Sequence, residues 1–363
     1  MMPAAATEPA RLLAYYLPQF HPIPENDLWW GPGFTEWTNT AKARPLFRGH
    51  YQPHIPADLG FYDLRLEETR EAQAELARSH GVGGFCYYHY WFGGKRLLER
   101  PFNEVLASGR PDFPLCLCWA NETWTGIWHG EPRKVLQEQT YPGEADHHAH
   151  FEFVAQAFED PRYVRVDGKP LFLVYKPMQI PDGQKFLDLW RELAVKRGFP
   201  GIHFVGVHAY AYWDHAKHGY DAVTVPNVHE GLPKRMLFKI LKQKAQRAAG
   251  LPVLRSYTDV QRALEMVYSA GTHFYPTALP NWDNTPRSGK RGFVVLGATP
   301  EAFRGQLRGA LSAVADRPWD DRLVFLKSWN EWAEGNHLEP DLKYGKAYLQ
   351  VIREELDRMN AQL

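Results

Sequence analysis

The chain has 363 residues, enough for one large α/β barrel with long loops or for two smaller domains. Its 42 lysines and arginines balance 42 aspartates and glutamates, so no global field draws it to nucleic acid, and no run approaches the ~20 apolar residues of a membrane span. A hydrophobic share of 44% suffices for a core, and 13 Trp, 18 Tyr and 20 Phe supply flat rings that can fill that core or stack on the apolar faces of sugars.

Taken in chain order, Met1–Ala10 is expected to be a loose terminus, without the basic-then-apolar layout of a signal peptide, and residues 11–363 to form a single domain. Apolar runs at Leu12–Leu17, Gly83–Tyr88, Leu115–Trp119, Leu171–Tyr175, His203–Val207, Ala222–Val225, His273–Ala278 and Leu323–Lys327 predict eight strands. Helical patterns fall at Glu67–His80, Pro101–Leu106, Ala145–Phe158, Gly183–Lys196, Tyr257–Ala270, Pro300–Ala315 and Tyr344–Asn360. Strand followed by helix, repeated, argues a parallel sheet, and eight repeats argue closure into a (β/α)8 TIM barrel, with an open doubly wound sheet as the alternative. The three cysteines (Cys86, Cys116, Cys118) all lie in strand-like runs, which suits buried thiols in a reducing compartment, so the expected location is the cytoplasm.

Two stretches break the repeat. Pro18–Leu64, rich in Pro, Gly, Trp and His, is too long for an ordinary connection and is expected to fold over the barrel mouth. Pro233–Gly250 interleaves six basic residues, Lys234 to Arg247, with apolar ones; this reads as an amphipathic helix with a solvated face, or as a weak contact with an anionic membrane surface.

Residues that could carry chemistry cluster just after the strands, where a barrel of this kind builds its site. After the eighth come Trp329, Asn330, Glu331, Trp332 and Glu334. Two carboxylates three positions apart can share one cleft if the chain turns, the arrangement that glycoside cleavage uses, and the flanking tryptophans would desolvate one of them. Two glutamates at the exposed start of a helix are the alternative. Trp119, Asn121, Glu122 and Trp124 follow the third strand, and Tyr88, His89, Tyr90 and Trp91 follow the second. Asn281, Trp282, Asp283 and Arg287 follow the seventh, while Tyr16, Gln19 and His21 leave the first and are succeeded by Trp29, Trp30, Glu36 and Trp37. Asn and His can bond hydroxyls, Trp offers a stacking face, and Arg can orient a carboxylate.

Other chemistries lack support. There is no glycine-rich phosphate fingerprint, no nucleophilic serine elbow and no Asp-x-Asp pair of the kind that holds a metal on a sugar nucleotide. His147, His148 and His150, on a helix expected to be exposed, do not read as a metal site, and no cofactor is expected.

The segments Tyr15–Pro22, Gly33–Thr38, Tyr87–Trp91, Cys118–Glu122, Asp283–Arg287 and Ser328–Gly335, in this order and spacing, resemble the WbsX-type family, which is related to glycoside hydrolase family 99 and often labelled as lipopolysaccharide-biosynthesis glycosyltransferases. The resemblance runs from residue 12 to about residue 340. It implies a (β/α)8 fold and a retaining, metal-independent attack on α-linked manno-configured glycans of mannose or rhamnose type, through a 1,2-anhydro sugar. By the same resemblance Glu331 would take the proton of the sugar 2-hydroxyl, and Glu334 would be the general acid and then base. Three functions follow as expectations: hydrolysis of such glycans, glycosyl transfer in O-antigen or capsule assembly, or glycan binding without turnover.

Overall fold

The computed structural model describes residues 8–126, 131–207, 213–225, 243–268 and 273–361. Parallel strands β1 (Arg11–Tyr16), β2 (Gly84–His89), β3 (Leu115–Trp119), β4 (Lys169–Val174), β5 (His203–Val207) and β6 (Ala222–Thr224) pair with their neighbours in chain order. The seventh strand, β7, comes in two halves, Phe274–Tyr275 on β6 and Thr277–Ala278 on β8 (Leu323–Leu326), and β8 pairs with β1. The break falls at Pro276, which has no N–H to give a ladder but whose carbonyl accepts the amide of Phe325 at 2.8 Å. Thr224 Oγ1 spans the break, 2.9 Å from the carbonyl of Tyr275 and 3.0 Å from Thr277 Oγ1. The ladder is thus a nearly closed barrel, and the open-sheet alternative is excluded.

Alternation along the strands decides what each side chain meets. Inside the barrel, Tyr15 stacks on Tyr88 and Phe325, and Cys86 sits against Cys116 and Cys118; all three thiols are buried and unpaired. On the outside, Trp119 packs on Phe186 and Phe172 on Trp190. Both partners belong to helix Gly183–Lys196, whose buried Phe186, Leu187, Trp190 and Ala194 recur at helical spacing and so form one apolar stripe.

Helices Glu67–Ser79, Arg100–Ser108, Glu144–Glu159, Tyr257–Tyr268, Pro300–Ser312 and Ala347–Asn360 occupy the other positions expected. The helix that carries the three histidines is not an exposed one: His150 is fully buried, with its ring parallel to Trp91, and His147 is buried too, because this face of the helix covers the outer side of β3. At the start of the chain Glu8 pairs with Arg353 and Ala10 is buried, so the chain is held from residue 8. The long segment after β1 does lie over the mouth, with helices Pro24–Trp30 and Glu36–Ala41. Residues 233–242 of the basic stretch lie outside the described residues. Among the described residues no helix is long and apolar enough to cross a membrane.

Candidate active site

Beyond β8 the chain turns sharply. Ser328 Oγ accepts the amides of Asn330 (3.2 Å) and Glu331 (2.9 Å), which ends the strand's alternation there. Asn330–Glu331 pairs antiparallel with Asn336–His337, and a single turn at Trp332–Glu334 closes on Gly335 in the left-handed region (φ 56°). Glu331 and Glu334 thereby face one cavity of about 610 Å³ at the mouth of the barrel, and neither is an exposed helix-start residue.

One guanidinium holds both. Arg287 donates from Nη1 to Glu334 (2.8 Å), from Nη2 to Glu331 (3.1 Å) and from Nε to a third buried carboxylate, Glu36 (3.0 Å). Burial works against the charge of Arg287, but Glu36, Glu334 and Glu331 outweigh it and hold the guanidinium above its ordinary pKa. For Glu331 the balance differs: burial, then the charge of Glu334, pushes its carboxyl up to about 7 against the opposing pull of Arg287 and Lys327. The rings facing it are Tyr88 and Tyr90 rather than the tryptophans of its own segment.

Arg287 owes its place to the short helical turn Thr285–Ser288, which Asp283 organises. Asp283 Oδ1 accepts from the amide (3.0 Å) and hydroxyl (2.6 Å) of Thr285, and Oδ2 accepts from His50 Nε2 (2.6 Å) and Gln52 Nε2 (2.8 Å). Since His50 Nδ1 accepts the amide of Leu46 (3.0 Å), its proton sits on Nε2 and points at Asp283.

Of the residues singled out in the sequence, Gln19, Trp30, Glu36, Tyr88, Tyr90, Glu122, Trp124, Trp282, Arg287, Glu331 and Glu334 come together on the cavity wall. Glu122, across from the pair, pairs with Lys176 at 3.6 Å; burial raises its pKa while Lys176 opposes and Glu334 adds to the rise.

The others stand behind that wall. Tyr16 is buried and donates to Gln73 (2.7 Å), and Trp37 donates to the carbonyl of Tyr62 (2.7 Å). His21 is buried off the cavity, its pKa pushed down to about 4 by burial. His89 meets His150 (2.8 Å) and is pushed down to about 3 by burial, while Trp91 donates to Asp146 (3.0 Å) and Trp119 to the carbonyl of Trp91 (3.2 Å). Asn121 bonds both the amide (2.7 Å) and the carbonyl (2.9 Å) of Lys176, and Asn330 does the same for Leu17 (2.7 and 3.0 Å), so each ties two strand ends together. Trp329 is buried against Phe85, and Trp332 stacks on His337 and donates to Glu339 (2.6 Å). Asn281 and Asp283 also lie off the wall, Asp283 because all its acceptor capacity is spent on loop donors. The dividing rule is alternation: Tyr88 and Tyr90 face in while His89 and Trp91 face out, and Ala120 and Glu122 face in while Trp119 and Asn121 face out.

The same rule marks a residue that motif reading passed over. Lys327, two positions beyond the inward Phe325, lines the cavity, as do Tyr175 and Lys176 beyond β4. For a metal, among the described residues His54, His337 and Asp341 bring ligand atoms within 4.8 Å of one another. Those atoms already serve each other and the chain: His54 Nδ1 meets His337 Nε2 at 2.8 Å, and Asp341 accepts from Tyr51 (3.1 Å) and the amides of Lys343 (3.0 Å) and Tyr344 (2.6 Å).

A nearly closed α/β barrel with buried carboxylates at the strand ends defines the class, and solved structures share the fold. An endo-α-mannosidase of glycoside hydrolase family 99 from Bacteroides thetaiotaomicron superposes with a TM-score of 0.61 at 13% identity, covering 97% of each chain. A glycoside hydrolase-like protein superposes with a TM-score of 0.60 at 15% identity over 96% of this chain and 94% of the other. The chain belongs to the family described as Glycosyltransferase WbsX, which it matches over residues 12–352. It is 40% identical over 353 residues to a protein described as Uncharacterized protein WxcX in two strains of Xanthomonas campestris pv. campestris, covering 97% of this chain. The chain spans about half the length of these curated relatives, 50% of each.

Proposed function

We propose that the protein is a retaining glycoside hydrolase-like enzyme that cleaves α-linked manno-configured glycans, of mannose or rhamnose type. In this reading Glu331 takes the proton of the sugar 2-hydroxyl as the ring closes to a 1,2-anhydro sugar, and Glu334 protonates the departing oxygen and then activates water. The observation that carries it is the carboxylate pair on the two Nη nitrogens of Arg287, inside an aromatic-walled cavity large enough for sugar rings. A base with a pKa near 7 matches proton abstraction at neutral pH, and that is where Glu331 stands. Three buried, unpaired thiols fit a reducing location such as the cytoplasm.

The test is turnover of synthetic α-mannosides and α-rhamnosides by the wild type and by Glu331→Gln and Glu334→Gln. Loss of turnover in both variants, with the fold intact, is expected; activity equal to wild type in either one would sink the assignment. The family's description favours a second reading, glycosyl transfer with the same pair. Release of nucleoside diphosphate from a sugar nucleotide, dependent on an acceptor glycan, would establish that instead.

A further inference from the structure

Lys327 is the cavity's unexplained charge. The residue is buried (2% exposed), yet it lines the cavity, and among the described residues no carboxylate lies within ion-pair distance of its ammonium. What it does touch is the face of Trp282, with Nζ 5.1 Å from the ring centroid. Burying an ammonium is costly unless something answers its charge and its three N–H donors, and a ring face answers only part of the charge. The cation that does hold Glu331 is Arg287, which is itself spread over three carboxylates. Glu331 stands four residues on and lines the same cavity, close enough for the charge of Lys327 to act on its carboxyl. An acceptor and a donor therefore face one space as neighbours without closing on each other.

We propose that Lys327 and Glu331 grip a vicinal diol of the substrate: Glu331 accepts from the 2-hydroxyl while the Lys327 ammonium donates to the oxygen of the 3-hydroxyl. This rests on the reading of Glu331 as the group that engages the 2-hydroxyl. Two sugar oxygens on adjacent carbons match a neighbouring acceptor and donor. A neutral hydroxyl suits the place better than a further anion would, because Glu36, Glu331 and Glu334 already outnumber Arg287 and Lys327 around it. The substrate class narrows accordingly, to manno-configured residues whose 3-hydroxyl is free rather than glycosylated or esterified at the cleavage site.

The experiment is a ligand-observed NMR titration of methyl α-D-mannopyranoside, methyl α-L-rhamnopyranoside and their 3-deoxy analogues into the wild type, Lys327→Met and Lys327→Arg, with each variant's melting curve as a folding control. A hydrogen bond from a charged donor predicts that the wild type binds a 3-deoxy glycoside at least roughly tenfold more weakly than its parent. Lys327→Met should lose that discrimination and bind both forms as weakly as the wild type binds the deoxy form, with Lys327→Arg in between. A merely structural lysine would weaken both forms alike and leave their ratio unchanged, which would overturn the proposal. So would a wild type that ignores the 3-hydroxyl, a result available even if Lys327→Met fails to fold. If the wild type binds neither parent glycoside, the manno-type reading of the site falls and this inference falls with it.

Discussion

The amide of Asp283 donates to the carbonyl of Glu334 at 2.6 Å, so the residue that shapes the Arg287 turn is also bonded to the backbone of one of the three carboxylate residues that Arg287 holds. Asp283 carries no cavity surface, yet its two oxygens collect four donors from His50, Gln52 and Thr285. Asp283→Ala strands those donors in a buried place, at an expected cost of about 3–5 kcal/mol. Urea unfolding with an unchanged slope should show it as a lower midpoint. A loss under ~1 kcal/mol would mean that water or a rearranged loop takes the carboxylate's place.

Arg287→Met poses a different problem, since it leaves Glu36, Glu331 and Glu334 buried together with their shared cation gone. Glu331, already raised by burial and by the charge of Glu334, then loses the guanidinium that opposes the rise, so its folded-state pKa climbs further above that of the unfolded chain. A raised folded pKa gives stability that is present at low pH and lost as pH climbs through the folded value. The variant should therefore be destabilised by about 3–5 kcal/mol at pH 8 and recover much of that at pH 5. Melting curves at the two pH values check it; equal losses at both would show that the carboxylates are not the cause.

The barrel was legible because its strands, buried on both sides, leave long apolar runs, and the carboxylate pair was legible because both residues follow the last of those runs. The aromatic clusters were harder to read, since a Tyr-His-Tyr-Trp run looks like one sugar-binding rim when alternation in fact sends Tyr88 and Tyr90 inward and His89 and Trp91 outward. Counting in twos along β2 and β3 would have separated them. On β8 the count succeeds for Lys327 but fails beyond Ser328, whose hydroxyl captures two amides and resets the chain. Arg287's three-way grip had no sequence signal, because Glu36 lies 251 positions away and is brought back only by the segment over the mouth.

Glu331 at about 7 sets two pH dependences. As the base it must be ionised, so the ascending limb of kcat/KM on an active α-glycoside should lie at about 7, if abstraction limits the rate. Folding has the opposite sign. The carboxyl titrates near ~4.3 when unfolded, so its contribution is complete below that pH and is lost as pH rises through about 7, by an amount on the order of 3 kcal/mol. Glu331→Gln, which cannot ionise, should therefore gain in melting temperature relative to wild type between pH 5 and pH 8. A difference that stays constant over that range would place the titrating group elsewhere, with Glu339, also pushed up to about 7 by burial, the next to test.

Gly335 closes the turn that aims Glu334, and two separate strains oppose any side chain there. Its φ of 56° lies in the left-handed region, which costs an L residue roughly 1–2 kcal/mol. A Cβ at that position would also stand 3.0 Å from Cβ of Asp283 and 3.3 Å from its carbonyl oxygen. Neither atom can yield without moving Asp283, and Asp283 is fixed by its own donors and by its bond to Glu334. Gly335→Ala should thus lower stability by roughly 2–3 kcal/mol and, by displacing Asp283, also loosen the Arg287 turn. Gly345 is the control: its φ of 53° is similar, but a Cβ there meets nothing within 4 Å, so Gly345→Ala should cost the backbone part alone. If the two variants melt together, the contact with Asp283 contributes nothing, and the rigidity of the Glu334 turn must come from its backbone alone.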